Sequence, residues 1–423
     1  MGDEGRGARV MLVCDYSLGY LGGAQTALVR QARALAELGW HVVVVAPGAY
    51  GAFAEDAMPN LVAVEPRVRF TIPGLDLPVL PRRERLVRGL VDLGREHRVD
   101  AVIAHSEFTI AAAALDAAGQ LGVPMLHTVH TFFWRAPRAL SPAAPAVTAF
   151  HRALTGLPRR PLYVGGNGIE NALRGMTLRV AARASCVLSP SRHQAEALRA
   201  AGVDRVEVLS NVAQPIAPGA ATAAGDGSDP EPAAATATAT ASAIPAPSAA
   251  DAGAAHHRPL TLVWAGRFAP EKRLGVALEA VRFANLLSPD SVRLHVAGGD
   301  HEPVAGVEFH GRLTSDEVAR LIEAADAVLL TSVGFDNQPM IALEAFARAR
   351  AIIVSDPVLR AEFDGAAIGA AGEDAAGLVE TLLELAADRS ALSEARDRAL
   401  DYARKRQPTE HARRLRAIID ASG

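Results

Sequence analysis

Lysine is almost missing from this chain: of its 43 basic residues only Lys272 and Lys405 are lysines, and all the others are arginines. Where arginine carries nearly all the positive charge, a lysine marks a place where a compact ammonium and a planar guanidinium would act differently. Lys405 lies in an arginine-rich terminal stretch and reads as a solvated charge, which leaves Lys272 as the informative one. Cysteine is equally scarce. Cys14 and Cys186 each sit inside an apolar, strand-like run, which excludes a disulfide framework and fits a reducing cytoplasm. No apolar run reaches the roughly 18 residues of a membrane span, and the opening Met1-Gly-Asp-Glu has no basic n-region, so neither a spanning helix nor a signal peptide is expected. An excess of positive charge is also absent. The 43 basic residues face 47 acidic ones, a net charge of −4, so no nucleic-acid partner is expected. Finally, residues 217–255 contain one large apolar side chain, Ile244, among alanine, threonine, proline, serine and glycine. Such a stretch cannot build a core and reads as a low-complexity, disordered linker.

At 423 residues, half of them hydrophobic, the remainder is enough for two domains of about 150–200 residues. The first half alternates strands and helices. Arg9–Asp15 and His41–Ala46 are continuous β-branched runs of the kind buried in parallel sheets, and Ala24, Leu28, Gln31, Leu35 and Leu38 keep helical spacing between them until Gly39. Further units follow: Ala101–Ala104, a helix near Ile110–Ala118 stopped by Gly119, Val123–His130, a helix near Asn171–Ala184, Cys186–Ser189, a helix near His193–Ala200, and Val206–Leu209. The second half continues with Leu260–Ala265, Val292–Ala297, Val307–Gly311 and a helix opened by the capping box Thr314-Ser-Asp-Glu317. The expected fold class is α/β, with two Rossmann-like doubly wound domains. The expected boundaries are 1–212, a linker over 213–258, 259–400, and a terminal helical segment 401–423 free to return to the first domain.

The richest stretch runs from Asp326 to Asp356. An apolar run (Ala327–Leu330), a loop, Pro339, a helical pattern over Met340–Arg350 and a second apolar run (Ala351–Val354) make strand, loop, helix, strand. Proline suits the first turn of a helix, so the N–H groups of Met340 and Ile341 are expected to face the loop. A helix start beyond the carboxyl end of a parallel strand is a ready anion site, commonly for phosphate. Asp336 in the loop and Glu344 one turn inside the helix would repel an anion unless they accept hydrogen bonds from ligand hydroxyls, as on a ribose or a sugar. Adjacent Gly22 and Gly23 at another helix start permit close backbone approach. Their spacing is not G-x-G-x-x-G, which disfavours a nicotinamide site. His105, His127 and His130 fall at strand ends, where α/β sheets bind ligands, and each can equally be structural. No Cys/His ligand spacing or Asp-x-Asp pair stands where it would hold a metal, so none is expected.

The acid, the seven intervening residues and Glu344, with the tail Pro339-x-x-x-Leu343-Glu344-Ala345, resemble the donor-binding signature of the retaining glycosyltransferases of family four, whose fold of two Rossmann domains facing a central cleft is called GT-B. Gly266-Arg267-Phe-Ala-Pro-Glu-Lys272 resembles that family's Gly-Arg-x-x-x-x-Lys, Thr128-Val129-His130 its Thr-x-His, and Gly22-Gly23 its glycine loop, all in the family's order. The resemblance implies that Arg267 and Lys272 grip the diphosphate of a nucleotide sugar, that Gly22 and Gly23 face its phosphates, and that Glu344 takes the ribose. It also implies that His130, Asp336 and the backbone of Asn337 and Gln338 meet the donor sugar, with Met340 and Ile341 among the donor-binding residues. The implied reaction is metal-independent hexosyl transfer, with retention, from a UDP- or GDP-linked donor to a glycan, lipid-linked or small-molecule acceptor in cell-envelope polysaccharide synthesis. No cofactor beyond the donor is implied. The chain departs from the pattern where Asp336-Asn337-Gln338 replaces Glu-Gly-Phe-Gly, where Arg273 replaces a glycine, and where Ser210-Asn211-Val212 replaces Pro-Asn-Gly. Two rival readings share the nucleotide grip: an epimerase of the same fold, and an inactive nucleotide-sugar-binding subunit. Arg82, Arg83, Arg85 and Arg88 around Leu86 and Leu90 form a basic amphipathic pattern that would suit peripheral contact with the inner membrane leaflet, or simply a solvated helix face.

Overall fold

A computed structural model describes residues 7–19, 22–72, 77–80, 83–158, 165–217 and 258–423. The expected linker falls, over 218–257, outside the described residues, as does Arg82. The chain forms two compact units. The first comprises residues 1–215, 333–343 and 403–423, and the second comprises residues 216–332 and 344–402.

The first unit is built on a seven-stranded sheet of β1 (Arg9–Val13), β2 (His41–Val45), β3 (Leu61–Val64), β6 (Ala101–Ala104), β7 (Met125–Thr128), β8 (Cys186–Ser189) and β9 (Val206–Val208), while β4 (Phe70–Ile72) and β5 (Leu77–Val79) pair with each other as an antiparallel ribbon. The order is β3-β2-β1-β6-β7-β8-β9, and every pair is parallel. The period-2 rule explains why these strands read as unbroken apolar runs. Alternate residues of β1 enter opposite cores: Val10 and Leu12 pack with helix Gly23–Glu37, and Met11 and Val13 with helices Arg83–His97 and Thr109–Leu121. Both faces are therefore covered by helices, as a parallel sheet requires.

The terminal helix Pro408–Ser422 belongs to this unit, with Ala412, Leu415 and Ile419 in the core beside Leu28 and Leu35. Buried His411 fastens it. Its Nδ1–H donates to the carbonyl of Ser210 at 3.0 Å, which leaves Nε2 to accept from the Gln31 amide at 2.8 Å. Leu86 and Leu90 of helix Arg83–His97 are buried in the core, and Arg83 donates to the Thr155 carbonyl (2.7 Å) and pairs with Asp116 (2.6 Å). The apolar side of this helix faces inward, and the basic amphipathic pattern reads as a solvated face bearing Arg85 and Arg88.

The second unit repeats the plan with β10 (Leu260–Ala265), β11 (Val292–Ala297), β12 (Val307–Phe309), β13 (Ala327–Leu330), β14 (Ala351–Val354) and β15 (Ala367–Gly369) in the order β12-β11-β10-β13-β14-β15, all parallel. Its larger core joins these strands to helices Leu274–Leu287 and Ala375–Ala387. Asp326, buried at the entry to β13, accepts from the Thr261 N–H (2.9 Å), Arg258 (2.5 Å) and Arg389 (2.8 Å), so its charge is compensated on all sides. No described helix is long and apolar enough to cross a membrane.

Several boundaries differ from the sequence reading. The helix after Pro339 spans Met340–Phe346, not Met340–Arg350. Ala349 turns left-handed (φ 51°) and Arg350 N–H reaches back to the Ala345 carbonyl at 2.9 Å, closing the helix early. The helix expected to stop at Gly119 continues through Leu121 and ends at left-handed Gly122. The helix expected from Asn171 starts at Gly168, because Asn167 and Glu170 form a capping box. The Thr314–Glu317 capping box forms as written in the sequence.

Candidate active site

In both sheets the strand order reverses beside the first strand, between β1 and β6 and between β10 and β13, and ligands of open α/β sheets bind outside the carboxyl ends of the strands at such a point. In the first unit β1 runs out into Asp15, which the sequence reading left as a strand end. Its buried carboxylate accepts from the backbone N–H groups of Phe108 (3.1 Å), Ile110 (2.7 Å) and Ala111 (3.3 Å) and from the Ser106 hydroxyl (2.7 Å). The Asp15 N–H in turn donates to Ser106 Oγ at 2.8 Å. Helix Thr109–Leu121 has no side-chain cap from its own N-cap residue, Phe108, and Asp15 supplies that cap from 93 residues earlier in the chain. Burial raises the Asp15 pKa above its ordinary value, and these hydrogen bonds offset only part of that rise. The signal was present as an acid ending an apolar run, but only the fold shows what it binds.

Glu107, next to this knot, accepts from the Tyr16 hydroxyl at 3.2 Å and is buried. Burial, reinforced by the nearby Asp15 charge, pushes its carboxyl up to about 7. The histidines go the other way. His105 and His127 are buried and His130 half-buried, and burial lowers His127 to about 3, His130 to about 4 and His105 well below its ordinary value, so all three are neutral. His105 Nδ1 and His130 Nε2 share a hydrogen bond of 2.9 Å across rings stacked at 5.2 Å. Of the histidines weighed in the sequence, the structure thus joins His105 to His130. His105 Nε2 finds no partner among the described residues.

Gly22 is the N-cap of helix Gly23–Glu37 and contributes no side chain to it. Neither glycine needs a left-handed backbone, and a Cβ on Gly23 would meet nothing within 4 Å. The helix start carries no side-chain cap, although the Gln25 side chain lies beside Gly22. The 333–343 loop also belongs to this unit. Ser191, which caps helix Arg192–Ala200, donates from its hydroxyl to Asn337 Oδ1, Gln338 Oε1 accepts from Asn211 N–H at 2.8 Å, and the Gly334 carbonyl accepts from Arg135 at 3.3 Å. The side chains of Asn337 and Gln338 therefore tether the loop. Asn337 Nδ2, buried, has no acceptor among the described residues, an arrangement native structures seldom leave uncompensated. Asp336 is half-buried in the same loop.

In the second unit β10 ends at the turn Gly266–Lys272, closed by a short 3-10 helix, Pro270–Lys272. Its geometry is locked from below. Trp264 Nε1–H donates to Thr331 Oγ1 (3.1 Å), and the Thr331 hydroxyl donates to the Lys272 carbonyl (2.8 Å). Gly298, at the end of β11, has φ 143°, and a Cβ there would lie 1.8 Å from the Gly266 carbonyl oxygen, so only glycine fits. Arg267 is exposed and pairs with Glu271 at 3.2 Å, while Lys272 is half-buried. Two cations thus stand on a rigid turn at the strand end, the arrangement that binds an anion such as a diphosphate. Glu344 is half-buried on helix Met340–Phe346, and the Met340 side chain is buried at its start.

The pattern of Glycosyltransferase Family 4 matches residues 21–213, and that of Glycosyl transferases group 1 matches residues 259–388. No curated protein matches the chain significantly. Among solved structures, Anabaena Alr3699/HepE in complex with UDP is 13% identical, with a TM-score of 0.63 over 98% of this chain and 100% of its own. The pneumococcal O-GlcNAc transferase GtfA in complex with UDP and GlcNAc is 10% identical, with a TM-score of 0.64 over 98% and 99%. TarM is 9% identical, with a TM-score of 0.65 over 97% and 98%. With both halves matched in order and the fold shared along nearly its whole length, the chain belongs to the family 4 type of glycosyltransferases with the GT-B fold.

Proposed function

We propose that the protein is a retaining, metal-independent glycosyltransferase that takes a sugar from a UDP-linked donor. The observation that carries this reading is the Gly266–Lys272 turn, two cations held at a strand end by the Trp264–Thr331–Lys272 chain of hydrogen bonds. Support for uridine comes from HepE, which is known with UDP and with UDP-glucose, and from GtfA, known with UDP. Arg267 and Lys272 hold the diphosphate, and the uncapped helix start at Gly22 and Gly23 adds backbone N–H groups. Glu344 takes the ribose hydroxyls. Asp336, His130 and the Asn337–Gln338 backbone take the sugar, whose hydroxyls would satisfy the lone Asn337 amide donor.

In the reaction the bond between the anomeric carbon and the phosphate oxygen breaks, and the nucleoside diphosphate leaves with the electron pair. The acceptor hydroxyl attacks from the same face and passes its proton to the departing phosphate. Charge grows on the diphosphate in the transition state, so fixed cations accelerate the step without a metal. A neutral His130 can accept or donate a hydrogen bond at the sugar without opposing the cationic anomeric carbon. The acceptor is a glycan or lipid-linked saccharide, and the two free, buried cysteines suit a cytoplasmic enzyme.

The test is transfer from a panel of UDP- and GDP-sugars, with the product anomer read by NMR. Retention with a UDP-sugar is expected, and Glu344→Gln should weaken free UDP by about 1 kcal/mol, roughly fivefold. An inverted anomer, or isomerised donor formed without any acceptor, would overturn the reading.

A further inference from the structure

The edge of the second sheet carries a group of side chains that the transfer reaction does not use. β12 is the edge strand, and its register with β11 sets Glu308 directly beside His295. Strand alternation sends Leu294 and Val296 into the core and His295 to the opposite face, with Glu308 beside it and His310, two residues on, directed the same way. The His310 N–H donates to the Val296 carbonyl at 2.9 Å, extending the ladder past the end of β12. All three candidate ligands are thus positioned by backbone pairing on rigid elements.

Their atoms converge. His295 Nδ1 and His310 Nε2 are 3.0 Å apart, and the two Glu308 oxygens lie 3.4 Å from the first and 3.8 Å from the second. In a tetrahedral zinc site with bonds of about 2.0–2.1 Å, ligand atoms stand about 3.3 Å from one another. The three separations lie within about half an ångström of that value, so a small rotation of each side chain suffices. Among the described residues this is the one group of three histidine, cysteine or carboxylate side chains close enough to hold a metal ion. The histidine side chains are about 15% exposed and the Glu308 side chain 60%, giving two sheltered nitrogen ligands and an accessible carboxylate. Arg293 lies on the same face two residues before His295, and its positive charge opposes a dication. The Glu308 carboxylate offsets that charge.

We propose that His295, Glu308 and His310 form a binding site for a divalent transition metal, zinc first, with water in the fourth position. Two imidazoles and a carboxylate suit zinc, whereas calcium and magnesium demand oxygen ligands. The ion would clip the short edge strand β12 to its neighbour β11.

Full-length protein stripped with chelator is titrated with zinc alone, by calorimetry and by competition with a chromophoric chelator. A single equivalent should bind with submicromolar affinity and raise the melting temperature. Cobalt in its place should show the intense visible absorption of tetrahedral coordination. Glu308→Ala and His310→Ala should each weaken zinc by about 100-fold or more and abolish the thermal shift, since loss of even an outer partner costs 10–100-fold. His97→Ala, at the hydrogen-bonded pair His41–His97 of the first unit, should leave zinc binding within about twofold and serves as the control for other histidine pairs. Because Glu308 is mostly exposed, its alanine variant should melt in chelator like the parent, so lost affinity cannot be blamed on unfolding. Failure of the parent to bind zinc below micromolar levels, or equal binding by the Glu308 and His310 variants, overturns the proposal.

Discussion

The two sheets follow the same strand order, yet the ends of their first strands are finished in opposite ways. β1 ends in Asp15, whose carboxyl group occupies the start of the helix after β6 and lies near Glu107, itself shifted toward the neutral acid. β10 ends in a turn bearing Arg267 and Lys272, braced from beneath by Thr331. A helix start already filled by the protein's own carboxyl group cannot bind a phosphate. One strand end is filled by a hydrogen-bonded carboxyl group, and the other carries two cations. Equivalent positions in a repeated fold therefore predict where a site can be, while the charge of the residue placed there decides whether a ligand or the protein itself fills it.

The comparison breaks most visibly at Lys272. Lys272→Ala should lower the turnover of sugar transfer by about 100- to 1,000-fold, the size expected for one fixed charge at a developing anion, with little change in melting. Transfer within threefold of the parent would show that the turn does not grip the leaving group. At the matching strand end Asp15→Ala should act on stability instead. It strands the N–H groups of Phe108 and Ile110 and removes a cap, so unfolding free energy should fall by about 2–4 kcal/mol. The folded protein should still bind UDP within threefold. A large loss of UDP affinity at unchanged stability would reverse the assignment of the two ends.

Glu107 sharpens the contrast through pH. Its carboxyl titrates near 4.5 when unfolded and about 7 when folded, so between those values the folded state holds a proton that the unfolded state has released. Stability from this group is full below about pH 4.5, falls as pH rises toward 7 and is lost above it, by up to about 3 kcal/mol in all. The buried histidines have lowered pKa values and work in the reverse sense, losing stability as pH falls below about 6.5. Denaturant melts of the parent and of Glu107→Gln isolate the term. The variant should gain on the parent steadily from pH 4.5 to 7, and a pH-independent difference would mean that Glu107 is ionised in the fold. The smallest expected effect is at Asp336. Asp336→Asn should slow transfer by about tenfold or more while leaving free UDP within threefold, as for a group that meets the sugar but not the nucleotide. A variant that melts lower yet transfers normally would make Asp336 a structural residue of the loop.

What the sequence determined by itself was set by local physics. Apolar β-branched runs bounded by turn residues marked Leu260–Ala265, Cys186–Ser189 and Ala351–Val354 to the residue, because a strand buried on both faces tolerates nothing else. The resemblance of the Gly266–Lys272 and Asp336–Ala345 segments to motifs of the family 4 glycosyltransferases implied a nucleotide-sugar transferase, since those residues share short segments in a fixed order. Helix ends were read less well, because Ala349 and Asn167 close or open a helix through backbone conformation and capping bonds that apolar periodicity does not register. Tertiary structure alone decided the pairings across long separations. Asp15 meets Ile110, Gln31 meets His411 and Asn337 meets Ser191 because crossover connections bring distant strand ends and helix starts together. The same holds for His295, Glu308 and His310. Their spacing in the chain resembles no metal motif, and only the parallel register of β11 and β12 sets them side by side, since the hydrogen-bonding pattern of a sheet fixes neighbours that sequence distance conceals.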